Sequence, residues 1–355
     1  MNSQRTAAPK RASPSDPAAA NPRLVRRLPL LTVTPFLLVG LCLLSLMLGS
    51  RAIPLDQVLL ALTDPGHPEA SGQVAAIVRD TRLVRTLVAV LTGMALGLAG
   101  AVMQSLTRNP LADPGLLGIS AGAAFGTVVA AGVLGVAGLL TSVWFAFAGA
   151  ALASAAVYFL GTRGTSSPVK LALAGVAVTF MLDSLTSGIA LTDPEALDRY
   201  RYWSAGSLTG HTAATVWQIT PFLIAGVLLA LSIGSALNGM SLGDDVATAL
   251  GHRLGRVRAR AALAVTLLTG ATVAVTGPIV FVGLVVPHLV RMVTGPDHRR
   301  LLAGSMLVAP CLLLAADIAG RLVARPQEID VSLVVAFLGA PFFIALVRRR
   351  RLAEL

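Results

Sequence analysis

Ionisable side chains are scarce in this sequence, so the few that cluster define what chemistry it can do. Arg79, Arg82 and Arg85 recur in "RDTRLVR", directly ahead of a long apolar run. Exposed guanidinium groups in such a row pair with carboxylates in a bidentate, oriented way and steer an acidic partner in a salt-dependent manner. The competing use is snorkelling at a membrane surface. A second cluster, "MSLGDDVATALGHRLG" (240–255), places Asp244 and Asp245 where they favour a helix start, by capping and by the helix dipole. Val246, Ala249 and Leu250 then form a small apolar face, and Gly251 suits the helix end. His288 and His298 have no acid at a ligand spacing, so no metal site is expected, and His67 and His211 read as outer-surface residues. No GxxxxGK[ST] occurs and the only lysines are Lys10 and Lys170, so the chain cannot cradle a nucleotide through a P-loop. No nucleophile–base pair is evident. The available chemistry is recognition, with no catalytic residue and no directly bound cofactor expected.

The elements that position these residues follow from composition. Hydrophobic residues make up 55% of 355 positions and charged residues 13%. Soluble domains carry roughly a quarter charged residues, so lipid is the solvent here. Crossing a hydrocarbon layer takes about 20 apolar residues in a helix. Apolar runs predict ten spans, about 28–48, 83–106, 115–137, 139–161, 169–191, 214–236, 259–278, 279–294, 300–323 and 331–347. Residues 1–27 read as a disordered cytoplasmic tail, 28–347 as the transmembrane domain and 348–355 as a basic cytoplasmic tail. Cys42 and Cys311 sit inside apolar runs and read as small core residues.

With the N-terminus in the cytoplasm and ten alternating spans, the cytoplasmic side carries 20 of the 28 Lys and Arg residues. The positive-inside rule therefore places both ends in the cytoplasm. The net charge of +11 reads as this topology signal, because no basic stripe interleaved with aromatics marks a nucleic-acid surface. "LTGMALGLAG" (91–100) and "LTGATVAVTG" (268–277) share Leu-Thr-Gly and a later Gly, on spans expected to run in opposite directions. Such a pair is either an inverted repeat, common in transporters, or a chance match between Gly- and Ala-rich helices.

Between the second and third spans lies "RNPLADPGLLGISAGAAFG" (108–126). Pro110 and Pro114 stop helix continuation, and Asp113 can cap the next helix. Gly118, Gly122 and Gly126 recur every fourth position, which predicts a helix face bare enough for backbone-to-backbone packing. Packing accounts for the glycines but not for a stiff polar turn.

The run from "RLVRTLVAVLTGMALGLAGAVMQSL" into that turn resembles the FecCD family, permeases of bacterial ATP-binding-cassette importers for ferric siderophores, haem and cobalamin. "LALAGVAV" (171–178), "GDDVATALG" (243–251), "GPIVFVGLVVPHLVR" (277–291), "GPDHRRLL" (295–302) and "LLLAADIAGRLVARPQEIDVSLVVAFLGAPFF" (312–343) extend the match. Val280 replaces the family's usual Gly, Asp330 a Pro and Ser332 a Gly. This form is most similar to permeases for ferric enterobactin, a catecholate siderophore.

The resemblance implies an all-α type II importer permease fold with helices 2–5 and 7–10 as inverted repeats. It implies a second permease subunit (identical or related), two ATPase subunits that hold ATP and Mg, and an extracytoplasmic substrate-binding protein. It implies coupling helices at about 240–256, with Leu242, Gly243, Asp244, Asp245, Ala247, Ala249, Leu250 and Gly251 seated on the ATPase. The alternative for that segment is an amphipathic helix on the lipid surface. Arg82, Arg85 and Arg321 match arginines that dock the binding protein, although Arg321 can instead pair with Asp317 at i+4. Asn109 and Leu111 match the cytoplasmic gate. Import of ferric siderophore, or of haem or cobalamin by the same machinery, is the function implied. An ion-gradient-driven transporter is the reading from another class. It would need ionisable groups inside the membrane, and only Asp183 and Asp317 qualify.

Overall fold

The computed structural model describes residues 28–64, 72–136, 138–162 and 168–350. The expected N-terminal tail, His67 and the end of the C-terminal tail lie outside these. Among the described residues every regular element is helical: α1 (Leu28–Met47), α2 (Leu55–Thr63), α3 (Gln73–Thr107), α4 (Ile119–Val133), α5 (Leu139–Thr162), α6 (Pro168–Thr192), α7 (Pro194–Ser204), α8 (Ala213–Ser232), α9 (Gly234–Ser241), α10 (Asp244–Ala249), α11 (Leu254–Thr276), α12 (Val282–Thr294), α13 (His298–Val323) and α14 (Val331–Arg350). Six of them are long and apolar enough to cross a membrane (α3, α5, α6, α8, α11, α13), and α1, α4, α12 and α14 hold shorter apolar helices. These ten match the ten expected spans.

Several boundaries differ, for local reasons. α3 begins at Gln73, ten residues before its expected start, because the arginine row is itself helical, in a π-helical stretch Ile77–Leu83. The expected span 115–137 opens as a 3-10 turn, Pro114–Leu117, before α4 begins. The expected span 279–294 is helical only from Val282, since Gly277 and Phe281 both take positive φ (70° and 68°) and break the chain there. Its 13 residues rise about 20 Å at 1.5 Å each, short of a hydrocarbon layer. α2 and α7 are short helices between spans that apolar runs do not reveal. Asp193 caps α7 by accepting from the Glu195 amide at 3.0 Å, with Pro194 in the first turn.

In lipid, close van der Waals packing rather than the hydrophobic effect brings helices together, and α3, α11 and α13 form the buried centre. α3 packs on α12 and α13, α11 packs on α4 and α5, and α3 and α11 pack on each other. A Cβ on Gly93 of α3 would lie 2.6 Å from the Pro310 backbone of α13, and one on Gly270 of α11 would meet Phe147 of α5 at 3.3 Å. α5 and α11 are further joined by Ser154 and Thr266, whose hydroxyls are 2.6 Å apart.

The glycine ladder divides into two functions. At Gly122 and Gly126 a Cβ would approach the Gly149 and Phe145 carbonyl oxygens of α5 to 2.3 and 2.2 Å, so only glycine permits this contact. Gly118, expected on the same face, instead lies between the 3-10 turn and α4 with φ of 68°, and a Cβ there would make ordinary contacts. Its backbone angle, not its bare face, demands glycine.

Candidate functional site

At one end of the bundle the arginines converge, but inward. Arg82, Arg85 and Arg321 are 6, 8 and 2% exposed. The expectation that these guanidiniums stand exposed is therefore corrected: they bond within the chain. The last carbonyls of a helix lack intrahelical partners, and α1 ends beside α3 and α13. Arg82 donates to the Leu46 and Met47 carbonyls at 2.7 and 2.8 Å and to that of Arg51. Arg321 donates to the Ser45 and Leu48 carbonyls at 2.9 and 2.8 Å and to Ser45 Oγ at 2.8 Å. Arg79 does the same for α2, donating to Ala61 and Leu62. Asp317, 1% exposed, binds two guanidiniums: Arg85 Nη2 at 2.8 Å on Oδ1 and Arg321 Nη2 at 2.8 Å on Oδ2. Arg85 also reaches Glu328. The i+4 partnership of Asp317 and Arg321 is thus the one the structure contains, within a network that fastens α1, α3 and α13 together. Arg51 and Arg325, beside it, are exposed.

At the other end lies the proline-stiffened turn. Arg108 closes α3 in the left-handed conformation, φ 51°, with its amide bonded to the Gln104 carbonyl. Asn109 Oδ1 then accepts from the Leu111 amide at 2.9 Å and the Asn109 carbonyl from the Ala112 amide at 3.1 Å. Asp113 caps the 3-10 turn by accepting from the Gly115 amide at 2.7 Å, as expected. Ala112 and Pro114 are buried, so the turn is anchored at its far side while Asn109 and Leu111 stay exposed. Gln104, which the sequence did not single out, is buried one turn earlier and donates to the Gly283 and Leu284 carbonyls at 3.3 and 3.1 Å. It fastens the turn's helix to the start of α12, where a Cβ on Gly100 would come within 1.9 Å of the Gly283 carbonyl oxygen.

The same end carries α10, shorter than the expected 240–256 segment because Gly243 (φ 117°) and Gly251 (φ 84°) bracket it. Ala247 is buried against the protein. Leu242, Val246 and Leu250 are 69, 42 and 62% exposed and Ala249 is exposed as well, so the expected apolar face is present and uncovered. The expectation that Asp244 caps this helix is corrected: Gly243 occupies the cap, and no side chain bonds there. The Asp244 carboxylate instead takes Arg108 on Oδ1 and Arg258 on Oδ2, the latter at 2.7 Å. Asp245 is exposed. A cavity of about 200 Å³ lies against this ion pair, walled by Leu106, Tyr158, Leu171 and Met240.

His288 and His298 are engaged by neighbouring side chains. His298 Nδ1 lies 2.9 Å from Asn238 Oδ1, and the His288 ring meets Phe342 edge-on at 6.3 Å. Among the described residues no three His, Cys, Asp or Glu side chains group as ligands. Asp297, just outside α13, caps it through the Arg299 amide and accepts from Asn238 Nδ2 at 2.9 Å. That side-chain bond, ahead of the penalty of burial, holds its carboxyl below the usual carboxylate range.

Residues 37–349 match the FecCD transport family, almost the whole described bundle. The chain belongs to that family. This FecCD member is 49% identical over 312 residues to the ferric enterobactin transport system permease protein FepD of Escherichia coli (strain K12), covering 86% of this chain and 91% of FepD. It is 38% identical over 277 residues to the hemin transport system permease protein HmuU of Yersinia pestis, covering 77% and 83% of the two chains. Its fold matches a solved chain assigned to the metal-chelate type of ABC transporter, in an inward-facing conformation, with TM-score 0.76 and 27% identity over 90% of this chain and 98% of that one. It is accordingly an all-helical, multi-pass membrane protein built as an ABC importer permease.

Proposed function

We propose that this FecCD permease carries a ferric siderophore of the enterobactin type inward across the bacterial cytoplasmic membrane, with both termini in the cytoplasm. Two ATPase subunits supply the energy, a second permease subunit completes the pathway, and an extracytoplasmic binding protein delivers the chelate at the end that holds the arginine network. The uncovered apolar face of α10 carries this reading. Leu242, Val246 and Leu250 lie on or beside this six-residue helix, close to Asp244, Asp245 and Arg253. A short apolar ridge flanked by charges suits a groove on another protein. Asn109 and Leu111, exposed on a turn fixed at both ends, then serve as the gate beside the pathway.

An ion-gradient mechanism loses one of its two candidate carboxylates, because Asp317 is held in ion pairs with Arg85 and Arg321. Uptake of ⁵⁵Fe-labelled ferric enterobactin is the direct test, in cells whose partner ATPase carries an inactivated nucleotide site while the proton gradient is intact. Abolished uptake supports ATP-driven import. Uptake that persists until the gradient is collapsed refutes it.

A further inference from the structure

We propose that Asp244 is a positioning residue that transmits displacement of α10 to the gate turn, acting through its two ion pairs. This rests on the reading of α10 as the ATPase seat and of Asn109 and Leu111 as the gate.

Asp244 begins α10, where a carboxylate ordinarily serves its own helix by capping or by the dipole. It does not cap: each oxygen is taken by a guanidinium from a different part of the fold. Arg258 stands in the first turns of α11, the helix that comes after α10 and runs into the buried centre. Arg108 is the residue immediately before Asn109, and its backbone is the left-handed closure of α3. Glycine is the residue that takes this conformation at no steric cost, while a non-glycine side chain pays about 1–2 kcal/mol. A side chain at this position therefore needs a use, and the use on view is Asp244. α10 packs on α9 and α11, and Asp244 reaches the turn through Arg108.

Two further features fit transmission better than stabilisation. The partners are half-exposed, with Arg108 and Asp244 side chains at 47 and 39%. Ion pairs in that setting contribute little to folding, typically under about 1 kcal/mol. The pair borders a cavity lined also by Tyr158, Leu171 and Met240. A carboxylate held between a docking helix and a gate, next to unfilled space, can change its geometry at low cost. A moving part requires that freedom.

The test uses the importer complex purified through a tag on this chain with its ATPase bound, carrying Leu111→Cys as a reporter. The rate at which a water-soluble maleimide labels the thiol at position 111 is compared with and without ATP plus vanadate, beside ATPase co-purification and hydrolysis. Arg108→Gln, outside α10, is expected to retain the ATPase and its hydrolysis, and Asp244→Asn is compared with it at matched ATPase occupancy. They are expected to shrink the nucleotide-dependent change in labelling by about fivefold or more, the lower end of ordinary site-to-site coupling. Asp244→Glu keeps both acceptor oxygens and is expected to respond as the parent does. An unchanged response in Asp244→Asn overturns the inference, as does equal loss in the Asn and Glu variants. Loss of ATPase co-purification in Asp244→Asn also overturns it, showing a docking role, while leaving the reading of α10 standing. If the parent complex itself shows no nucleotide-dependent change, the gate assignment fails and the inference falls with it.

Discussion

Replacing Asp317 with Asn separates a fastening role for the arginine network from a docking role. Asp317 is 1% exposed and holds both Arg85 and Arg321, themselves 8 and 2% exposed. Removing one partner of a buried ion pair ordinarily costs about 3–5 kcal/mol, because the other charge is left uncompensated. Here the lower end applies. Arg85 keeps Glu328, and Arg321 keeps the Ser45 and Leu48 carbonyls, so neither guanidinium is wholly abandoned. A loss of about 3 kcal/mol corresponds to roughly 6–12 °C in melting temperature, at about 2–4 °C per kcal/mol for a chain of this order of size. The assay is heating of the purified subunit in detergent, with the folded fraction read by size-exclusion chromatography. α1, whose last carbonyls are bonded by Arg82 and Arg321, is expected to become protease-sensitive first. A melting temperature within about 2 °C of the parent, less than one kcal/mol on the same scale, would refute a network that holds α1, α3 and α13 together.

Other substitutions test the remaining contacts. Gly126→Leu should prevent α4 from seating on α5, since even a Cβ would lie 2.2 Å from the Phe145 carbonyl oxygen, and should lower the yield of folded protein severalfold. Ala249→Arg, on the exposed face of α10, should abolish ATPase co-purification without changing membrane insertion or thermal stability. Asp297 has a folded pKa below its unfolded value of about 3.9, so its stabilisation is present above that value and is lost as pH falls through the lower, folded one. Stability measured from pH 7 down to 3 should accordingly fall more steeply in the parent than in Asp297→Asn. Cysteine at Asn109 should crosslink to its counterpart in an adjoining identical subunit in one nucleotide state and not in others.

Features set by neighbours along the chain were legible in the sequence. Apolar runs marked ten helices, six of them long and apolar enough to span a membrane, prolines and Asp113 marked the stiff turn, Gly122 and Gly126 a close helix contact, and Gly251 the end of α10. What escaped depends on residues far apart. The carbonyls that bury Arg82 and Arg321 come from the end of α1, 35 to 36 and 273 to 276 residues away. No periodicity encodes that meeting, and an arginine ahead of an apolar run reads as exposed. Asp244 looked like a capping residue because capping is local, whereas Arg108 is 136 residues away. The break at 277–281 hid behind apolar residues: Phe281 carries no sign that it takes positive φ, and Gly277 was the signal available. Asp193-Pro194 is a legible helix start for α7, whose 11 residues are too few to stand out as a span.

Cargo movement by this permease should require a separate ATPase to change its shape. Proteoliposomes measure this most directly, one preparation holding the permease alone and one holding it with its ATPase and binding protein. ⁵⁵Fe-labelled ferric enterobactin is expected to accumulate against its gradient only in the complete preparation, and only with ATP. Uphill accumulation by the permease alone, driven by an imposed proton or sodium gradient, would contradict an ATP-driven importer.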